Sequence, residues 1–365
     1  MKCEYFGKCG SCILDLDYKN QLEIKKNKIK ELFKEFDIKD FEVFQSKESH
    51  FRARAEFRFF KDSFAMHSID NYLFPIDSCP IVLEPIFSLM PKLLEEIRKS
   101  TILKEKLYAI EFLSSLNKDT LVTLIYHKKL DEAWQDEALR VSNCLNISIV
   151  GRSRKQKVVI KKDYVIEKLK IFNKDYSYIH QEATFTQPNP YINQKMIEWA
   201  KDVSKDFGYD FLELYCGSGN FTLPLSENFN KVLATEISKN SIKTAIKNCK
   251  LNGIENIKFV RLSSEEFVKA FNKEREFNRL KQANIDLDGY NFSTVLIDPP
   301  RAGLDETTRD LIKNFKNIIY ISCNPNTLFR DLKDITKTHT IKRFAMFDQF
   351  PYTPHIESAV LLVRH

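Results

Sequence analysis

The chain has 365 residues, of which 43% are hydrophobic and 29 are phenylalanine, so its length predicts more than one domain and its composition excludes wholesale disorder. Nine glycines and 12 prolines exclude collagen-like and low-complexity proteins. The formal net charge of +7 is compatible with a polyanionic partner and equally with a solvated, lysine-rich surface.

The N-terminal segment carries cysteines at a spacing typical of metal ligands. It has no apolar signal region, and no apolar run in the chain is long enough for a membrane span, so we expect a cytoplasmic protein without membrane contact and with reduced thiols. Cys3, Cys9 and Cys12 form C-x5-C-x2-C, and Cys79 stands apart in Ser-Cys-Pro. Four thiolates suit zinc or an iron–sulfur cluster, and this spacing favours a 4Fe–4S cluster; unligated thiols are the alternative.

The first half of the chain predicts a mixed α+β domain. Residues 14–38 have a helical pattern, and residues 51–60 alternate as a strand with apolar side chains on one face and arginines on the other. We interpret Arg52, Arg54 and Arg58 as a phosphate-contacting surface, with an ordinary polar face as the alternative. Further strands are predicted at 107–114, 119–127 and 146–151, and further helices at 86–99 and 131–144.

A second basic feature follows the last of these strands. Residues 152–162 contain no acidic side chain, and Arg152, Arg154 and Lys155 open this stretch. The cluster predicts contact with a polyanion, or a solvated face of a lysine-rich chain.

From about residue 185 onward, strands and helices alternate. This alternation predicts a doubly wound, Rossmann-like, mostly parallel sheet, with the last two strands pairing antiparallel at its edge. We therefore expect an N-terminal domain at 1–184 and a catalytic domain at 185–365. The predicted strands of the second domain are 210–215, 231–235, 257–261, 293–297, 317–321, 341–347 and 358–363.

A nucleoside-binding pattern follows the first of these strands. Gly217 and Gly219 form a glycine turn, and Glu236 ends the next strand, where a carboxylate accepts hydrogen bonds from ribose hydroxyls. The third glycine of a dinucleotide fingerprint is missing, because position 222 is Thr. This favours S-adenosylmethionine over NAD as the bound cofactor.

Three reactive side chains are predicted at the same edge of the sheet. Asp298 ends one strand in a rigid Asp-Pro-Pro-Arg turn, with a simple strand-ending turn as the alternative. Cys323 precedes a helix start, where the helix dipole favours thiolate, although a lone cysteine is more often a small buried residue. Glu357 begins the antiparallel last strand and could act as a general base, whereas His355 is interpreted as a surface residue.

Together these motifs resemble the RNA uracil-5 methyltransferase family, and its tRNA branch more than its ribosomal-RNA branch. The resemblance covers nearly the whole chain, although the N-terminal cysteine set resembles the ribosomal branch. The matching segments are FRARAEFRF (51–59), LIYHKKLDEAW (124–134), FTQPN (185–189), FLELYCGSGNFTL (211–223), VLATEISK (232–239), EFNRL (276–280), DPPRAGLD (298–305), YISCNP (320–325) and FDQFPYTPHIE (347–357).

The resemblance implies S-adenosylmethionine-dependent methylation of uridine 54 in the T-loop of tRNA, with other RNAs of similar loop as further partners and no obligate protein partner. It implies that Cys323 is the nucleophile and Glu357 the base. It also implies cofactor contacts at Gln187, Tyr215, Asn220, Glu236 and Asp298.

Three other functions remain open on the sequence. The first is methylation of ribosomal RNA, which the cysteine set favours. The second is nicotinamide-dependent oxidoreduction, which Thr222 and the Asp-Pro-Pro-Arg turn disfavour. The third is RNA binding without catalysis, for which Cys323 would not be needed.

Overall fold

The computed structural model describes residues 1–39 and 41–365, folded as three β-sheets with helices packed on them. The described strands are β1 (Phe41–Phe44), β2 (Arg54–Phe60), β3 (Ser63–His67), β4 (Leu73–Ile76), β5 (Leu107–Ser114), β6 (Thr120–Tyr126), β7 (Ser148–Ser153), β8 (Gln156–Ile160), β9 (Tyr164–Ile171), β10 (Lys174–Gln181), β11 (Asp210–Leu214), β12 (Lys231–Thr235), β13 (Ile257–Val260), β14 (Phe292–Ile297), β15 (Asn317–Ser322), β16 (His339–Phe347) and β17 (Glu357–Arg364). The described helices are α1 (Tyr18–Leu32), α2 (Glu84–Lys99), α3 (Thr101–Lys104), α4 (Glu132–Leu145), α5 (Pro190–Ser204), α6 (Thr222–Leu225), α7 (Lys239–Asn252), α8 (Ser264–Phe271), α9 (Asn278–Gln282), α10 (Glu306–Ile312) and α11 (Pro325–Ile335).

The second half of the chain forms the predicted doubly wound sheet. Its eight strands lie in the order β1-β16-β17-β15-β14-β11-β12-β13. The strands from β11 to β15 pair in parallel, and β17 runs antiparallel to both β15 and β16. Every strand predicted beyond residue 185 is present within two residues of its predicted bounds. The fold class is therefore confirmed.

The edge of this sheet differs from the prediction. The last two strands pair with each other, but β1 adds to β16 in parallel, with Phe41 opposite Phe344. Helix α1 also packs on this sheet. Its buried Leu22 and Ile29, and Phe33 directly after its last residue, belong to the core beneath the eight strands. A strand of four residues carries too short a pattern to be found from sequence, so this extension was not predicted.

The first half of the chain forms a seven-stranded sheet with β5 at its centre and β2 beside it, in the order β4-β3-β2-β5-β6-β7-β8. The predicted alternation of residues 51–60 is confirmed, because Phe51 and Phe57 are buried in a core shared with α2 and α4. Arg52, Arg54 and Arg58 lie on the opposite face and are half-buried. The predicted α+β character is therefore present.

A two-stranded hairpin, β9 and β10, joins the two large sheets. It packs on α7, where the backbone N–H groups of Ser177 and Ile179 each donate to an asparagine side chain, Asn252 and Asn248, at 2.8 Å. The division at 184/185 stays a prediction about folding units. Within the described ranges, no helix is both long and apolar enough to cross a bilayer.

Candidate active site

A cleft of about 620 Å³ opens at the carboxyl ends of β11, β12, β14 and β15. This is the edge at which doubly wound sheets bind their ligands. The structure brings both predicted catalytic residues and all five predicted cofactor contacts to the walls of this one cleft: Gln187, Tyr215, Asn220, Glu236, Asp298, Cys323 and Glu357.

The glycine turn and Glu236 form one wall. Gly217 and Gly219 have φ angles of +54° and +85°, a region where a side chain would strain the backbone. The Glu236 carboxylate accepts hydrogen bonds from the N–H of Gly217 at 3.1 Å and of Ser238 at 2.7 Å. These bonds fix the carboxylate at the cleft, where its remaining lone pairs can accept from ribose hydroxyls.

The deeper wall fits a cationic, amino-acid-like group. Glu213 is buried at the end of β11, its Oε2 has no hydrogen-bond partner among the described residues, and burial raises its pKa to about 8. The Gln187 Oε1 accepts from the Gln349 side chain at 2.7 Å, which leaves the Gln187 amide N–H groups for the cleft. An unpartnered carboxylate and a free amide donor suit the ammonium and carboxylate of a methionine moiety, so the residues fit S-adenosylmethionine.

Cys323 lies between β15 and α11, as the sequence predicted. The predicted ease of thiolate formation is wrong, because burial raises the pKa of Cys323 to about 11. The carboxylates of Glu357 and Asp298 raise it further than the Arg301 guanidinium lowers it. Desolvation and two nearby carboxylates thus raise the pKa of the thiol by more than the dipole of the following helix lowers it.

Glu357 and Asp298 are neighbouring carboxyl groups in the cleft. Burial and the neighbouring Asp298 raise the pKa of Glu357 well above its usual range. Burial raises the pKa of Asp298 to about 7. A carboxylate with a raised pKa holds a proton more tightly once it has taken it, which suits a group that must remove a proton from carbon.

The alkylation rate of Cys323 is expected to rise with pH to a midpoint well above that of a free cysteine, because only the thiolate reacts. Glu357→Gln removes a nearby negative charge and should move this midpoint to lower pH. The measurement is iodoacetamide labelling of the Cys323 peptide between pH 6 and 12, a range that includes the expected midpoint, followed by mass spectrometry. Glu306→Gln, an exposed position on α10, is the matched control. A wild-type midpoint at or below that of a free cysteine would contradict the expectation.

Besides Glu213, several cleft residues were not singled out from the sequence. Phe185 is 76% exposed at the rim, although it lies in the quoted FTQPN segment, and Phe350 is half-buried in the opposite wall. His180 also lines the cleft, and burial with the nearby Arg54 charge lowers its pKa to about 4. No sequence signal marks His180, because it lies within β10, a strand that was not predicted.

The arginines predicted to contact RNA divide into two groups. Arg52 donates to the carbonyl of Arg54, Arg54 donates to the carbonyl of Thr184 at 2.8 Å, and Arg152 forms a double hydrogen bond with Glu182. In contrast, Arg154 and Lys155 are exposed at the β7–β8 turn. The Arg58 guanidinium stacks 3.3 Å above the Tyr108 ring. Arg58, Arg154 and Lys155 therefore form the second group, whose guanidinium and ammonium groups are not bound to a carbonyl or carboxylate among the described residues.

The four predicted metal ligands line one small cavity of about 30 Å³, which we call the cysteine cavity: Cys3, Cys9, Cys12 and Cys79. Burial, with a contribution from neighbouring thiols, raises the pKa of Cys12 and Cys79 to about 12. Even so, no three His, Cys, Asp or Glu side chains within residues 1–39 and 41–365 are arranged to hold a metal ion. The residue types fit a cluster, and their present arrangement does not.

Comparison with known proteins agrees across sequence and fold. A sequence model of the tRNA (Uracil-5-)-methyltransferase family matches residues 17–365. The tRNA/tmRNA (uracil-C(5))-methyltransferase of Nitratiruptor sp. is 54% identical over 100% of both chains. The protein of the same description from Acinetobacter baylyi is 49% identical over 94% of this chain and 98% of its own.

Among solved structures, the tRNA (uracil-54, C5)-methyltransferase of Pyrococcus abyssi in complex with S-adenosyl-L-homocysteine superposes with a TM-score of 0.75. The two chains are 22% identical, and the match covers 97% of this chain and 86% of the other. At this level of identity the likeness shows the fold.

Proposed function

The chain belongs to the tRNA (uracil-5-)-methyltransferase family, and we propose that it methylates C5 of uridine 54 in the T-loop of tRNA through a covalent adduct with Cys323. It is an S-adenosylmethionine-dependent methyltransferase that acts on tRNA or tmRNA. The observation that carries the proposal is the placement of Cys323, Glu357 and Asp298 in one cleft. We further propose that it works in the cytoplasm, without an obligate protein partner.

The chemistry requires a nucleophile because C5 of uracil is too electron-poor to attack a methyl group unaided. The Cys323 thiolate adds to C6, and the electron pair of the C5–C6 double bond moves toward C5 and O4 as an enolate. S-adenosylmethionine, when bound, supplies an electrophilic methyl group to C5. A thiolate of raised pKa is intrinsically more nucleophilic, but burial also reduces the fraction of Cys323 in the thiolate form, so burial alone does not accelerate the attack.

The second half of the reaction requires a base. Glu357 removes the proton from C5, the electron pair restores the C5–C6 double bond, and the C6–S bond breaks to return the thiolate. The Arg301 side chain lines the cleft and is exposed, so it is our candidate donor to O4 during both halves. Asn324 is less suited, since its side-chain amide donates to the Arg301 carbonyl at 3.0 Å.

Five residues would hold S-adenosylmethionine in this proposal. Glu236 accepts from the ribose and Gln187 donates to the amino-acid end, while Asn220 lines the cleft with its side-chain amide paired to that of Asn193 at 2.8 Å. Tyr215 lies at the glycine turn with its hydroxyl donated to Ser264 at 2.7 Å, and Asp298 closes the deeper wall. Their polar atoms orient the cofactor toward Cys323.

The target base is stacked in the folded T-loop and must be extruded, at a cost of a few kcal/mol. Basic side chains supply part of that energy by contacting phosphates. We assign this role to Arg58, Arg154 and Lys155. Phe185, exposed at the rim, is placed to stack on an unstacked base.

The proposal is tested with T-arm RNA in which uridine 54 is replaced by 5-fluorouridine. Fluorine cannot leave as a proton does, so the reaction with S-adenosylmethionine should stop at the covalent adduct and give a shifted band on a denaturing gel. No band, with the cofactor shown to bind by calorimetry, would contradict the tRNA assignment, and a band with ribosomal-RNA fragments instead would favour that substrate. Binding of NAD without S-adenosylmethionine would contradict the reaction class.

For the cysteine cavity we propose a 4Fe–4S cluster held by its four cysteines, which requires their thiols to rearrange around it. Anaerobically purified protein is then expected to contain about four irons per chain and to absorb broadly in visible light. Cys12→Ala should abolish both signals, whereas Cys144→Ala, at an exposed position on α4, should change neither. Protein that carries no iron, with or without zinc, or that keeps its iron in Cys12→Ala, would contradict this assignment.

A further inference from the structure

The segment between β16 and β17, residues 348–356, is called the catalytic loop here. It leaves the sheet after Phe347 and returns at Glu357, and these two residues are partners in the strand register. Its Phe350 lines the cleft with Cys323 and Glu357. The position of this loop therefore determines how the wall of the cleft and the start of β17 meet the substrate.

Side chains of α1 hold the catalytic loop from outside the cleft. The Lys25 Nζ lies 2.6 Å from the Asp348 Oδ1 and donates to the Phe350 carbonyl at 2.9 Å. The Lys25 and Asp348 side chains are 3% and 0% exposed. One turn earlier on the same face, the buried Gln21 accepts from the Tyr352 N–H at 2.6 Å. Helix α1 thus fixes the loop at three of its first five residues.

Residues 13 and 14, which precede α1, also hold the catalytic loop. The Tyr352 carbonyl accepts from the N–H groups of Ile13 and Leu14 at 2.9 and 3.1 Å. Tyr352 has a φ of +64°, a left-handed conformation that is unfavourable for a bulky residue and needs such support. The Phe6 ring packs edge-on against the Tyr352 ring.

Stability alone does not explain the ion pair. Burial of a lysine and a carboxylate removes both from water, and a well-packed apolar pair is often as stable. What an apolar pair lacks is direction. The Lys25 ammonium has three donors and uses two of them, one on the Asp348 carboxylate and one on the Phe350 carbonyl, so it fixes the course of the chain between those residues.

We propose that Lys25 and Gln21 are positioning residues that hold the catalytic loop so that Glu357 reaches the C5 proton of the covalent adduct. This inference rests on the proposed function. Cys323 is held by β15 and α11 rather than by the loop. Displacement of the loop therefore moves Glu357 more than it moves Cys323, and the release step is affected more than the addition step.

The test uses Lys25→Met, which keeps the volume of the side chain and removes its donors. With T-arm RNA and S-adenosylmethionine, kcat is expected to fall about 10- to 100-fold while KM for the cofactor is unchanged, since small misplacements of a reacting group have effects of this size. The covalent adduct should accumulate on a denaturing gel. With 5-fluorouridine RNA, the rate of adduct formation should match that of wild type. Lys19→Met, exposed on the same helix, should behave as wild type in both assays.

A double variant separates positioning from stability. Lys25→Met leaves Asp348 buried and unpaired, and adding Asp348→Asn removes that charge, so the melting temperature should recover. Turnover should stay low, because the hydrogen bond to Phe350 is still missing. Turnover that recovers with the melting temperature, or an equal loss of adduct formation and turnover in the single variant, would overturn the positioning role. Failure of the wild-type protein to form the fluorouridine adduct would overturn the proposed function instead.

Discussion

Cys323→Ala is expected to abolish methyl transfer, with turnover reduced by at least about four orders of magnitude. Without the sulfur no bond forms to C6, and C5 does not gain the electron density it needs to accept a methyl group. Cofactor affinity should change little, since Cys323 closes one end of the cleft and the ribose and amino-acid contacts lie elsewhere on its walls. The measurements are single-turnover methylation of T-arm RNA and calorimetry with S-adenosylmethionine.

Cys144→Ala is the control for this substitution, because Cys144 is exposed on α4 and does not line the cleft. Cys323→Ser is a second comparison: its hydroxyl is a much weaker nucleophile at neutral pH, so it should be nearly as inactive. Residual turnover above about a hundredth of wild type in Cys323→Ala would show that the reaction does not pass through a sulfur adduct.

Glu357→Gln should reduce product formation by about 10²- to 10⁴-fold while a covalent RNA–protein complex accumulates with unmodified RNA. Glutamine fills the same space but does not accept the C5 proton, so the methylated adduct persists. Addition by Cys323 should not be impaired, because loss of the nearby carboxylate lowers the pKa of the thiol. The variant thus separates two steps that occur in the same cleft.

The complex is detected on a denaturing gel with radiolabelled methyl groups, which also shows that methyl transfer precedes the blocked step. Glu306→Gln should give ordinary product and no complex. Wild-type turnover in Glu357→Gln would assign the base to another residue. Loss of turnover without a complex would mean that Glu357 is needed before the adduct forms.

The positions of the site residues could be predicted from the sequence where each residue directly follows a strand of the parallel sheet. Glu236, Asp298 and Cys323 each follow a strand of the parallel sheet, so the alternation of strands and helices was enough to bring them to one edge. Glu357 needed only the reversed direction of β17. The positions of these residues could be predicted because each follows or begins a strand whose local pattern is visible in the sequence.

Contacts between distant segments were not predictable in this way. Lys25 and Asp348 lie on different elements, and nothing in either local pattern marks the other as a partner. Arg152 was predicted to contact RNA because it lies in a basic cluster of the sequence. The sequence does not show that Glu182 lies beside Arg152 in the fold. The pKa of Cys323 was unpredictable for the same reason. The sequence shows that a helix begins after Cys323, but it does not show the burial and the two nearby carboxylates that raise the pKa of the thiol.

The pairing of β1 with β16 has a consequence for the order in which the enzyme is made. Phe41 leaves the ribosome early and its partner, Phe344, leaves late, as do Asp348 and Glu357. Contacts between such distant segments close a long loop and form slowly. A nascent chain therefore carries an unpaired β1 and a cleft without Glu357 until synthesis is nearly complete, and we expect methylation to begin only after the finished chain has folded.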